Sequence, residues 1–205
     1  MSVKNIVILG VSSFLLLAIG FFYYLQSWGE EINQPLPSQV DLMSAKDLVK
    51  AAHPFVKEYG GNEKFDLGKV RLRMKGSSPE KVELRYRGQA KGVEVPRIIT
   101  VEMDLEKKQV LRIREQDRDS KIEPVAIDLK KWRIDSKKAI QIATGALKKE
   151  DENEQLDYQV DSLVLYGESN PPMWSVRLST TENYYRVYID ILTGKVRSKE
   201  LIPSG

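Results

Sequence analysis

A chain of 205 residues with 41% apolar and 30% charged side chains can bury one core of ordinary size or two small ones. It has no cysteine and a single histidine, His53, which excludes disulfides, thiol chemistry and lipid attachment through a cysteine. One chain alone therefore cannot build a two-histidine or cysteine-rich zinc site, while carboxylate-only sites stay open.

From Ile6 to Leu25 no formal charge interrupts "IVILGVSSFLLLAIGFFYYL". As a helix this run would span roughly 30 Å, about the hydrocarbon thickness of a bilayer. Phe21, Phe22, Tyr23, Tyr24 and Trp28 follow as an interfacial aromatic group, where a cleaved signal would offer small residues. Residues 1–25 are thus expected to be an uncleaved transmembrane anchor. Lys4 on one side and Glu30 and Glu31 on the other place the amino terminus in the cytoplasm and the rest outside. Residues 26–39, with Pro35 and Pro37 and no apolar period, read as an extended tether.

Two versions of one pattern follow, over residues 40–120 and 121–205. Ser44 caps a predicted helix in which Leu48, Val49, Ala52, Phe55 and Val56 share a face. Asp135 caps a second, with Ala139, Ile140, Ala143, Ala146 and Leu147 in the same register. Alternating strands come next, around Val70 and Leu72, then Val82 and Leu84, matched by Leu163 to Leu165 and by Trp174, Val176 and Leu178. Each version ends in a hairpin, "IITVEMDLEKKQVLRIRE" and "YYRVYIDILTGKVRSKE". The expected fold is α+β: two tandem helix-plus-antiparallel-sheet domains behind a transmembrane helix.

The second version, with "IDSKKAIQIATGAL", "MWSVRLST" and the Thr-Gly hairpin, resembles a PepSY domain from about Trp132 to Leu201. The first departs from it, with Lys108 in the place of Gly194, Val82 in that of Trp174, and Pro54 expected to interrupt its helix. The tandem arrangement behind an anchor is similar to membrane-anchored bacterial regulators of cell-wall elongation. That resemblance implies a binding or inhibitory role without catalytic residues.

The residues themselves give Gly194 a positive φ in the hairpin loop and make Asp190 an acceptor for turn amides, with Asp104 repeating it. No nucleophile elbow, phosphate loop or dinucleotide fingerprint is present, so neither an enzyme nor a cofactor is expected. Between Gly60 and Glu115, 14 Lys and Arg outnumber 9 Asp and Glu. Arg71, Arg73 and Arg85 head this basic strand face, which either meets an anionic wall polymer or lipid headgroup or is simply a solvated face. A competing contact surface is the loop "YGESNPPMW", with Tyr166, Asn170 and Trp174. Trp174 is also expected to pack on the inner face of its sheet, its indole N–H finding an acceptor. The functional expectation is a single-pass membrane protein whose outer part binds and regulates an envelope protein such as a peptidoglycan synthase or a peptidase. Nucleic acid is not an expected partner.

Overall fold

Apolar and charged residues alternate along most of the strand-forming segments, which gives each strand one dry face and one wet one. The structure is a computed structural model, and it describes residues 29–89, 97–116, 125–149, 157–167, 169 and 171–202. Its elements are β1 (Glu30–Pro35), α1 (Ala45–Gly60), β2 (Phe65–Lys75), β3 (Ser78–Gly88), β4 (Ile98–Asp104), β5 (Gln109–Gln116), α2 (Ser136–Lys148), β6 (Gln159–Tyr166), β7 (Met173–Ser179), β8 (Tyr184–Asp190) and β9 (Val196–Ile202).

All nine strands form one antiparallel sheet in the order β1-β5-β4-β3-β2-β6-β7-β8-β9. Both helices lie on one face, α1 against β2, β4 and β5, and α2 against β7, β8 and β9. Beneath them run two cross-strand rows. One is Val110, Met103, Val82, Leu72, Leu163, Val176 and Val187. The other is Ile113, Val101, Leu84, Val70, Leu165, Trp174 and Ile189. No member of either row is more than 2% exposed. Burial of each such side chain is worth about 1.5–3 kcal/mol, so the rows are the main adhesive of the sheet.

A half turn about the point where Arg71 faces Val164 exchanges these rows, sending Val82 to Trp174, Met103 to Ile189 and Val110 to Val196. The repeated pattern read from the sequence is therefore present, but its arrangement differs from the expected one. The two halves share a single sheet because β2 and β6, which would otherwise be edges, pair with each other and satisfy both rows of backbone groups.

The tether expectation needs a second correction. Residues 30–35 form strand β1 on the edge of β5, and Leu36, 8% exposed, donates its amide to the Lys108 carbonyl at 2.8 Å. An edge strand is held mainly through its backbone, so it needs no apolar alternation to form. Nor does Pro54 interrupt its helix: α1 continues through it to Gly60. Among the described residues no helix is long and apolar enough to cross a membrane. The anchor expected at residues 1–25 lies outside the described residues.

Candidate interaction surface

Opposite the helices the sheet has no second layer among the described residues, and this open face carries most of the basic side chains singled out above. Across it Val164, Arg71, Glu83, Glu102, Arg112 and Glu31 stand in one row, with Tyr166, Lys69, Arg85, Thr100 and Arg114 in the next. Glu102 holds both Arg112, at 2.8 Å, and Arg114, at 2.9 Å, and Glu83 holds Arg85 at 2.8 Å. Such cross-strand ion pairs are individually modest, about 0–1 kcal/mol, so they organise the face more than they stabilise it.

Arg85 is thus neutralised within its own strand, whereas Arg71 and Arg73 have no ion pair among the described residues. They border a cleft of about 300 Å³ together with Lys81, Arg112, Arg114 and two carboxylates, Glu83 and Glu102. Arg114 Nε is buried and has no hydrogen-bond partner among the described residues. Tyr166 lies on the same face, directly opposite Lys69 across the β2–β6 seam, with the Lys69 ammonium 5.0 Å from its ring centroid. Two of the surfaces proposed from sequence, the basic face and the Tyr166 end of the loop, are therefore one surface.

Trp174 does not belong to it. The side chain is wholly buried on the inner face, and its indole donates to the Ile134 carbonyl at 2.8 Å, which removes it from any contact surface and fits the packing expectation. Trp132, which had no assigned role, donates to the same carbonyl at 2.7 Å and tilts against Trp174 at a centroid distance of 5.9 Å. Asn170 lies outside the described residues. The rest of the loop, Gly167, Ser169, Pro171 and Pro172, borders a separate cleft of about 400 Å³ with Val125 and Leu192.

The hairpin residues behave as turn chemistry dictates. Asp190, 1% exposed, accepts the amides of Leu192 at 2.8 Å and Thr193 at 3.1 Å and also pairs with Arg197. Burial alone would raise its pKa, yet the Arg197 guanidinium and the two amides bring it below the ordinary carboxylate range. Gly194 takes φ +74°, and Lys108, its counterpart, takes φ +54°. Asp104 accepts the Lys107 amide at 3.0 Å in the equivalent turn.

At the helix starts the structure shows what sequence reading missed. Asp135 accepts the Ser136 amide as expected of a cap, but it also accepts the Ser44 hydroxyl at 2.7 Å and the Lys46 amide at 3.3 Å from the other helix. Ser136 Oγ in turn accepts the Ala45 amide at 2.9 Å. Lys137 pairs with Asp41, whose pKa it lowers, and the equivalent Lys46 stands 5.8 Å from the Trp132 ring centroid. Ser44–Asp135 and Ala45–Ser136 each span 91 residues, which equals the helix offset and was the available signal.

No protein-family model and no curated protein matches the chain. Among solved structures it is similar to one described as a "putative lipoprotein" from Clostridium difficile 630, at 19% identity and a TM-score of 0.54. The match covers 83% of this chain and all of that one. At that identity the likeness establishes a shared fold. The chemistry of the site rests on its own residues: His53 is exposed on α1, and among the described residues no three His, Cys, Asp or Glu side chains are grouped to hold a metal ion.

Proposed function

We propose that this chain is a non-catalytic, membrane-anchored, extracytoplasmic binding protein that regulates an envelope protein such as a peptidoglycan synthase or a peptidase. The observation that carries the reading is the two-layer architecture, which commits both helices to one face of the sheet and leaves the other, with its ordered Arg and Glu ladder and Tyr166, available to a partner. The PepSY-like pattern of each half, the lipoprotein description of the clostridial structure and the apolar run before residue 26 support an envelope location. An anchor would concentrate the protein beside its partner, so a weak intrinsic affinity would suffice.

Cross-linking capture from intact membranes tests the proposal. Reversing Arg71 and Arg73 to Glu, with Tyr166→Ala, should reduce capture of a membrane or wall-synthesis protein at least tenfold while leaving the thermal midpoint unchanged. Unchanged capture, or turnover of peptidoglycan by the purified chain that depends on one carboxylate, would remove this reading.

Arg71 and Arg73, without an ion pair among the described residues, favour a second reading, binding of an anionic wall polymer or lipid headgroup in the 300 Å³ cleft. Binding through those charges should fall steeply between low and physiological salt, whereas a protein partner held by apolar contact should persist.

A further inference from the structure

We propose that the outer edge of β9 accepts an extended acidic segment of a partner protein, which adds to the sheet as a further strand. This rests on the reading of the chain as a protein-binding module and names the kind of partner that one edge of it fits. The argument comes from the internal two-fold. Strand β5 and strand β9 are equivalent, since Val110 pairs beside Met103 as Val196 pairs beside Ile189. Yet their outer edges differ.

β5 is covered by β1, which sets Glu31 opposite Arg112 and is pinned where the Leu36 amide meets the Lys108 carbonyl. In the second half the residue equivalent to Leu36 is Ile127, likewise buried and likewise nine residues before its helix. Its amide bonds instead to the Leu67 carbonyl of β2, at 2.7 Å. Ile127 is thus tied to the centre of the sheet and not to the edge of β9. Among the described residues no strand pairs with the outer edge of β9.

An uncovered edge presents backbone donors and acceptors that template the addition of an extended chain. β1, at the other end of the sheet, carries Pro35, which discourages further pairing, whereas β9 has no proline. The bulge of β9 at Arg197 has its equivalent in β5 at Leu111, and β1 pairs across that one. The chemistry of the visitor follows from charge. Lys195, Arg197 and Lys199 stand against two carboxylates, Glu200 and the buried Asp190. Arg197 is steadied by Asp190, and Lys199 by the Ala146 carbonyl at 3.1 Å. That basic edge disfavours a second copy of itself and matches an acidic strand of the kind that already lies on β5.

Because the chain lacks cysteine, thiol mapping gives an unambiguous test. The probe is a synthetic peptide with the sequence of residues 29–38 and Glu31→Cys, offered to the full chain in detergent carrying Ser198→Cys, the position equivalent to Arg112. Disulfide formation is expected at least tenfold faster than with Ser77→Cys, an exposed hairpin tip, and several-fold slower when Lys195→Glu is added or when Glu30 of the peptide becomes Lys. Amides of Val196–Ile202 should also exchange more slowly with the peptide bound, and unchanged circular dichroism would show that the variants fold. Equal rates at 198 and 77 would overturn the proposal. So would faster labelling of Arg112→Cys, which would mean that the peptide merely displaces β1, or faster linkage of two Ser198→Cys chains to each other, which would assign the edge to a second copy. Failure here leaves the open-face contact standing, since that is read by capture through Arg71, Arg73 and Tyr166.

Discussion

Lys108 and Gly194 sit at the same turn position in their hairpins, but only glycine occupies it without steric cost. A left-handed residue with a Cβ is disfavoured by about 1–2 kcal/mol, part of which a glycine returns through greater freedom in the unfolded chain. Lys108→Gly should therefore stabilise the protein by about 0.5–1 kcal/mol, seen as a rise in the urea midpoint with an unchanged slope. Asp190 gives a pH-dependent counterpart. Its folded pKa is depressed, so its stabilisation is fully present above the unfolded value of about 4 and is lost as pH falls through the folded value. Asp190→Asn should lower stability at neutral pH by about 1–3 kcal/mol and flatten the acid limb of a stability-against-pH curve. Both residues were legible from sequence because Asp and Gly at a tight turn act locally, through amides two or three residues away. The shared carbonyl of Trp132 and Trp174 was not, since it depends on two segments about 40 residues apart meeting.

Among the elements, β1 shows most plainly where sequence pattern runs out. "EEINQP" has no alternation to announce a strand, and its pairing is decided by the edge that β5 offers. Leu36 is the exception, a buried apolar anchor just past its end. Leu36→Ala should cost about 2 kcal/mol and speed hydrogen exchange in Gln109–Gln116 before it affects β7 or β8. The helices were better foretold. Leu48, Ala52 and Val56 are buried, as are Ala139, Ala143 and Leu147, in the register the sequence gives them. Hidden from that pattern was the meeting of the two helix starts, because a cap is expected to serve its own helix. A double-mutant cycle on Ser44→Ala and Asp135→Ala should return a coupling of about 1 kcal/mol, whereas independent caps would return none.

For the whole molecule, the single sheet and the continuous rows beneath the helices predict one cooperative unfolding transition shared by both halves. Calorimetric and van't Hoff enthalpies should agree, and two separable transitions would show that the seam between β2 and β6 is weak. That seam also bears on assembly. A two-fold inside one chain is the symmetry that a pair of identical subunits would have, but these halves are not matched to pair with themselves. Two copies of the first half would bring Arg71 against Arg71 on the axis, and two copies of the second would bring Asp135 against Asp135; only the mixed pair sets Arg71 against Val164 and gives Asp135 the Ser44 hydroxyl. Like charges meeting at a seam are costly enough to choose partners. Residues 29–116 and 125–202, produced as separate chains, should therefore be poor homodimers that recover the native sheet on mixing, because complementarity at the seam, and not the covalent link, chooses the pair.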